Sequence, residues 1–355
     1  MLSKTTLTKT CLYTIRRIDS PLRKQFCTAS FQRRYAMNAT ETHYVYQDGP
    51  MDREDMQKEL NGAFNIVMME ALEACRSNIV AMCATSVNKP VTGQLMESLP
   101  ALKVISCLST GYDHVDVQAA TRLGIRVGYT PYVFDDATAD GALALLLSCS
   151  RRVVEGDKIS RNPSTLKYPG YEFLVQEVSH STIGIVGMGR IGSKIAKRAS
   201  KGFDMKVVYH SRRQKSAEEE HAVCATYVPV LNELLQQCDF VVLAAPSTKE
   251  TYRMMGREQF KVMKKTGIFI NIARGALVDH DALVEALRDG EIAHAGLDVT
   301  DPEPLPRDHP LLTMNNVTFT PHIGGNTYTA SKKAIDITIA NILAGMKGEA
   351  LVHEV

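Results

Sequence analysis

Thr182-Ile183-Gly184-Ile185-Val186 runs directly into Gly187-Met188-Gly189-Arg190-Ile191-Gly192, and the reading of that junction decides the fold. The first five residues form a short apolar run suited to a buried strand. The glycine pattern that follows is weak evidence when it stands alone. Here it opens a segment with Ile191, Ile195, Ala196 and Ala199 on one helical face. Strand, glycine loop and helix in that order make a dinucleotide-binding fingerprint. Gly187 permits the tight turn, Gly189 lets a pyrophosphate approach the backbone, and Gly192 lets helix and strand pack closely. The free N–H groups and the dipole at the helix start favour phosphate there. Met188, Arg190 and Ile191 complete the loop that would line the cofactor.

Outward from this junction the chain alternates strand-like and helix-like segments. Before it lie strand candidates at Asn65 to Met69, Asn78 to Ala84, Leu102 to Leu108 and Arg126 to Tyr129, then a long Ala- and Leu-rich helix over Asp136 to Arg152. After it come Lys206 to His210, Phe240 to Ala244, Gly267 to Ile272, Ala293 to Asp298 and Val317 to Thr320, closed by a helix over Thr329 to Lys347. Such alternation predicts parallel sheets wrapped by helices. The last helix is long enough to cross back onto the first unit.

The second strand of the nucleotide unit ends in His210-Ser211-Arg212-Arg213. NAD enzymes usually place a carboxylate near this point to hold the ribose hydroxyls. None is present. Two guanidinium groups beside Ser211 suit a 2′-phosphate, which they can clamp by charge-assisted hydrogen bonds. The expectation is therefore NADPH, with NADH as the other cofactor the site could take. The competing reading treats Arg212 and Arg213 as solvated loop charges.

Three further segments stand at the ends of expected strands, where ligands bind in open α/β sheets. They are Phe269-Ile270-Asn271-Ile272-Ala273-Arg274-Gly275, Gly296-Leu297-Asp298-Val299-Thr300-Asp301-Pro302-Glu303-Pro304, and Thr320-Pro321-His322-Ile323-Gly324-Gly325. These segments resemble signatures of the D-2-hydroxyacid dehydrogenase family, and that resemblance implies reduction of a 2-keto acid, which needs a cation for its carboxylate and carbonyl, a proton donor and a hydride. Arg274 can supply the cation. His322 can supply the proton, and Glu303 can orient its ring and stabilise the imidazolium by charge. Asp301 competes with Glu303 for that role.

The resemblance holds in order and separation, from about residue 60 to the end of the chain. Gly124-Ile125-Arg126-Val127-Gly128-Tyr129-Thr130-Pro131 resembles its glyoxylate/hydroxypyruvate reductase branch. The resemblance implies NADPH-dependent reduction of glyoxylate to glycolate and of hydroxypyruvate to D-glycerate, with Arg274, Glu303 and His322 catalytic. It also places Pro246, Ile272, Asp298 and Gly324 at the cofactor. In Ser109-Thr110-Gly111-Tyr112-Asp113-His114, Thr110 and Gly111 match a loop whose backbone binds the substrate carboxylate, and Ala84 and Thr85 are expected on another loop facing the cleft.

The implied fold is α/β, with two Rossmann-like or flavodoxin-like domains. A nucleotide-binding domain of residues 132–327 is inserted into a discontinuous substrate domain of 41–131 and 328–355, and closure of the cleft between them would exclude water. A homodimer is expected. Relatives limit the substrate pocket with an aromatic residue, often Trp, from the neighbouring subunit. This chain has no Trp, and Tyr168 and Tyr171 occupy roughly the corresponding region. Rival readings are a phosphoglycerate dehydrogenase-like enzyme and, outside enzymes, an NAD(H)-sensing corepressor-like protein of the same fold.

Composition narrows the context. Residues 1–35 hold eight basic side chains against the single acid Asp19, leaving 33 basic and 38 acidic residues in the rest of the chain. That mildly acidic body argues against nucleic-acid binding. No stretch approaches the roughly 20 unbroken apolar residues of a membrane span. The eight scattered cysteines show no metal-ligand spacing, so free thiols are expected and no metal. The basic, Ser/Thr-rich start has the composition of a mitochondrial presequence, and Arg33-Arg34-Tyr35-Ala36 resembles a matrix-protease site. A basic tail with no targeting role is the alternative. Met37 could start a cytosolic form.

Overall fold

A computed structural model describes residues 44–47, 65–67, 72–85 and 89–355. The presequence-like residues 1–35, the site at Arg33-Arg34-Tyr35-Ala36, and Met37 lie outside the described residues. The described part of the chain forms two all-parallel sheets.

The first sheet contains β1 (Tyr44–Gln47), β2 (Asn65–Val67), β3 (Ile79–Ala84), β4 (Val104–Cys107) and β5 (Arg126–Gly128), in the order β2-β1-β3-β4-β5. Short helices α1 (Leu72–Cys75), α2 (Gly93–Glu97) and α3 (Val117–Arg122) accompany it. Thr92 and Asp116 cap the last two, accepting from the backbone N–H of Leu95 and Ala119. Every residue of β3 and β4 is buried, as expected of strands covered on both faces.

The second sheet contains β6 (Thr182–Val186), β7 (Lys206–His210), β8 (Ala225–Tyr227), β9 (Phe240–Leu243), β10 (Ile268–Asn271), β11 (His294–Leu297) and β12 (Val317–Phe319). Its order is β12-β11-β10-β9-β6-β7-β8. On one face lie α4 (Asp135–Ser150) and α6 (Arg190–Gly202), whose Leu145, Leu146, Ile195 and Ala199 share a core with Ile183, Val207 and Ile270. Helix α5 (Val153–Arg161) continues from α4, and α7 (Ala217–Val223) packs on α6. On the other face α8 (Leu231–Gln237), α9 (Arg257–Val262) and α10 (His280–Arg288) bury Leu234, Phe260 and Leu283 against Val241 and Phe269. Strand β6 has β7 on one side and β9 on the other, so the chain direction of winding reverses there. That is the switch point where an open α/β sheet offers a crevice beyond its strand ends.

The last helix, α11 (Tyr328–Lys347), packs on β3, β4 and β5 of the first sheet. A Cβ on its Gly345 would lie 2.6 Å from Val104 Cγ2, so glycine is what lets helix and strand approach this closely.

The observed strands are one to three residues shorter than several of the expected runs, and two strands escape the sequence reading. Strand β1 is four residues of Tyr, Val, Tyr and Gln, and the Asp48-Gly49-Pro50 turn signal that follows it in the sequence was passed over. Strand β8 is a three-residue sheet edge that exists through pairing with β7. The six cysteines among the described residues form no disulfide with one another, and no described helix is long and apolar enough to cross a membrane.

Candidate active site

The three fingerprint glycines answer to three different constraints. Gly187 has φ +104° and sits where a Cβ would come within 2.6 Å of the Ala244 and Ala245 backbone. Gly192 packs α6 onto the loop so tightly that a Cβ would lie 2.1 Å from the Gly187 carbonyl oxygen. A Cβ on Gly189 would meet no protein atom within 4 Å. Nothing inside the chain therefore requires glycine at 189. Glycine there leaves the backbone open to the close approach of a pyrophosphate.

Two of the three side chains between the glycines face inward. Met188 is buried in the core of the second sheet and Ile191 packs against it. Arg190 donates to Asp135 Oδ2 at 3.1 Å, and its guanidinium stacks 4.6 Å from the ring centre of Tyr132. Met188 and Ile191 thus offer a ligand their backbone, not their side chains, while Arg190 is exposed. Beyond β7, Ser211 donates to the Arg213 carbonyl at 2.7 Å, and Tyr227 donates to the Ser211 carbonyl at 3.1 Å. Among the described residues neither Arg212 nor Arg213 forms an ion pair, and both are exposed. Pro246 lies beyond β9, where its carbonyl accepts from Thr251 Oγ1 at 2.7 Å. Ile272 follows β10 and is buried.

Strands β10, β11 and β12 are neighbours and deliver the three catalytic candidates to one edge. Asn271, fully buried at the end of β10, shapes the first turn: its Nδ2 donates to the Arg274 carbonyl and its Oδ1 accepts from the Ala273 N–H, both at 3.0 Å. Gly275 then allows the Arg274 segment to press against the next loop, since a Cβ there would lie 2.0 Å from the Thr300 carbonyl carbon. That loop carries Glu303, which accepts from His322 Nδ1 at 2.7 Å. Asp301 is exposed, so the carboxylate on the histidine is Glu303.

A carboxylate only accepts, so Nδ1 carries a hydrogen in this pair. Nε2 is the ring nitrogen left for exchange with a ligand. The backbone at His322 has φ +54°, a conformation uncommon for any residue but glycine. Asp298 holds it there. Its carbonyl accepts from the His322 N–H at 2.8 Å. Its carboxylate accepts from Thr320 Oγ1 at 2.6 Å and from the N–H groups of Ile323 and Gly324 at 2.9 and 3.0 Å. Asp298 is therefore buried and shapes the His322 loop, a role the sequence did not indicate.

The first lobe closes the site from the other side. Ser109 Oγ donates to the Gly111 carbonyl at 2.6 Å, and the buried Thr110 hydroxyl has no partner among the described residues. A Cβ on Gly111 would lie 2.4 Å from Arg274 Nη2, which puts the substrate loop and the expected substrate cation in contact. Asp113, which the sequence reading passed over, takes the same guanidinium in a two-pronged ion pair. Ala84 is a correction: it is the fully buried last residue of β3 and does not face the cleft, while half-buried Thr85 follows it. Tyr168 and Tyr171 are exposed within one chain, so they are not packing residues of its own core.

Residues 143–324 match the model of the D-isomer specific 2-hydroxyacid dehydrogenase NAD binding domain. The chain is 44% identical over 270 residues to a glyoxylate reductase of Pyrococcus horikoshii, covering 75% of this chain and 79% of that one. It is 40% identical over 301 residues to glyoxylate/hydroxypyruvate reductase B of an Enterobacter species, covering 83% and 92%. Among solved structures it resembles an NADPH-dependent glyoxylate/hydroxypyruvate reductase from Sinorhizobium meliloti, in complex with NADP and malonate. There the TM-score is 0.78 and the identity 27%, over 89% of this chain and 98% of that one.

Proposed function

Because this chain belongs to the D-isomer specific 2-hydroxyacid dehydrogenase family, we propose that it reduces glyoxylate to glycolate and hydroxypyruvate to D-glycerate, with NADPH preferred over NADH. At the coarser level it is an oxidoreductase that reduces 2-keto acids. The observation that supports reduction by this chain is the arrangement on one sheet edge. Arg274 and the Glu303–His322 pair lie on adjacent strand ends of the sheet whose switch point carries the glycine loop.

The nicotinamide, when bound, supplies the hydride to the keto carbon. The chain supplies the rest. Arg274 and the backbone of Thr110 and Gly111 hold the carboxylate, and the guanidinium polarises the carbonyl. His322 gives its Nε2 proton to the carbonyl oxygen as that oxygen gains charge. Glu303 stays on Nδ1 throughout, keeping the ring aimed and balancing its charge in the protonated state. After transfer the ring is the neutral Nδ1–H form, and solvent restores its proton.

Support for NADPH comes from Arg212 and Arg213, two exposed cations at the ribose end of β7 with no carboxylate between them and the strand. Support for a homodimer comes from Leu166, Tyr168, Tyr171 and Leu174. These are 98%, 68%, 89% and 73% exposed in a single chain and suit burial against a second copy. Sedimentation at assay concentration checks this. The composition of residues 1–35 supports a place in the mitochondrial matrix, tested by imaging the full chain beside one starting at Met37.

The central test is NADPH oxidation by protein starting at Ala36, offered glyoxylate, hydroxypyruvate and pyruvate, with NADH in parallel. Turnover of the first two with NADPH favoured is expected. His322→Ala should lower turnover by about 10²–10⁴-fold. Near-normal rates in His322→Ala or Arg274→Ala would remove the role given to that residue.

A further inference from the structure

Arg274 is not a lone cation at the sheet edge. Its guanidinium reaches across the cleft, and Asp113 of the first lobe takes it along one side. Nε donates to Oδ2 at 3.1 Å and Nη2 donates to Oδ1 at 3.0 Å. A third bond runs from Nη1 to the Ala273 carbonyl at 2.8 Å. A guanidinium has five N–H groups in a rigid fork. With three engaged, the other two, one on each Nη nitrogen, point in directions set by the first three.

Two other features show that the pair is built into this loop. Gly111 lies directly beneath it, and a Cβ there would sit 2.4 Å from Arg274 Nη2 and 2.7 Å from Asp113 Oδ1. Any larger residue at 111 would push the partners apart. At the other end, the Asn271 side chain pins the Arg274 carbonyl, so backbone and guanidinium are both tethered. The Asp113 carboxylate keeps its charge in this setting. Burial works to raise its pKa, but the hydrogen bond and charge of Arg274 outweigh burial and hold it below the ordinary carboxylate value.

We propose that Asp113 is the positioning residue for Arg274. A carboxylate on the first lobe aims the guanidinium of the second, so that the 2-keto acid meets two fixed donors and not a freely rotating side chain. The inference rests on the reading of Arg274 as the cation that grips the substrate. Since the partners come from different lobes, the guanidinium is aimed only when the lobes stand this close. Asp113 acts through Arg274 and need not touch substrate. The opposite role is a competitor that occupies Arg274 until substrate displaces it, and it predicts the opposite change in KM.

The experiment uses the full chain with saturating NADPH and either glyoxylate or hydroxypyruvate, comparing Asp113→Asn, Asp113→Glu, Arg274→Lys and the double variant Asp113→Asn/Arg274→Lys. Asp113→Asn should lose about 10–100-fold in kcat/KM, mainly through a higher KM, with NADPH affinity by fluorescence unchanged. Asp113→Glu keeps the charge, displaces it by one methylene and should fall between. In the Arg274→Lys background Asp113→Asn should add little, because the two act as one unit. A parallel ¹⁵N NMR measurement should show a protected Arg274 Nε–H that loses protection in Asp113→Asn.

A lower KM in Asp113→Asn, an unchanged KM, or losses that simply multiply in the double variant would overturn the proposal. An Nε–H that stays protected in Asp113→Asn would overturn it as well. Absence of 2-keto acid reduction in the unsubstituted enzyme removes the functional reading itself, and the role of Asp113 with it. Normal turnover there, with Asp113→Asn indistinguishable, removes Asp113 alone.

Discussion

At Asp298 a single buried carboxylate accepts three hydrogen bonds, from Thr320, Ile323 and Gly324, and in doing so fixes the backbone that presents His322. The site is built from such local divisions of labour. Glu303 orients a ring, Asn271 shapes a turn, and Asp113 meets a guanidinium. Cofactor choice belongs to this scale too. Tyr227 and Ser211 hold the loop that carries Arg212 and Arg213, leaving both guanidinium groups toward solvent. Replacing both with Ser should raise KM for NADPH by roughly 10–100-fold, about 1.4–2.8 kcal/mol in total for two charge-assisted bonds weakened by solvent screening. KM for NADH should change little. Equal effects on both cofactors would show that the pair does not read the 2′-phosphate.

At the scale of elements, the strand–loop–helix unit from β6 to α6 separates steric demand from ligand demand. Gly192→Ala drives a Cβ into the Gly187 carbonyl and should destabilise the protein by about 1–3 kcal/mol, seen as a lower urea midpoint. Gly189→Ala meets no protein atom, so its urea midpoint should hold while NADPH affinity falls. If Gly189→Ala bound NADPH normally, the pyrophosphate would not lie where the loop suggests.

Helix α10 offers a pH test. His280 is buried at its first turn beside His309, and burial, then the charge of His309, hold its imidazole below the ordinary histidine value. The unfolded chain therefore takes up a proton before the folded one does. The stabilising contribution is complete above the unfolded value near about 6.5 and is lost as pH falls through the folded value. Melting temperature should drop from neutral to mildly acidic pH more steeply in the unsubstituted protein than in His280→Gln, and parallel slopes would dismiss the idea.

For the whole molecule, the decisive connection is α11 returning to the first sheet. Asn341 on that helix is fully buried and binds three separate segments. Its Nδ2 donates to Ser106 Oγ and the Tyr129 carbonyl at 3.3 Å, and its Oδ1 accepts from the N–H groups of Val352 and His353. Asn341→Ala strands these groups and should cost roughly 1–3 kcal/mol in denaturant titration. NADPH affinity should stay unchanged, because the glycine loop belongs to the other sheet. A drop in NADPH affinity would mean that the lobes are more tightly coupled than their separate sheets suggest.

The glycine junction at 182–192, the apolar strands after it, and the segments around Arg274, Glu303 and His322 were legible in the sequence. Each is a local pattern: strand, turn and helix chemistry fixes what a few adjacent residues do. The edge strand β8 was not legible, because three residues gain their conformation from pairing with β7. Nor was the task of Asp113, whose partner lies 161 residues away. Nor was the engagement of Asp298 with the His322 loop, whose bonded groups lie 22 to 26 residues further along and on another strand end. An ion pair or hydrogen bond depends on distance in space, and only the folding of two sheets toward one cleft brings those groups within reach.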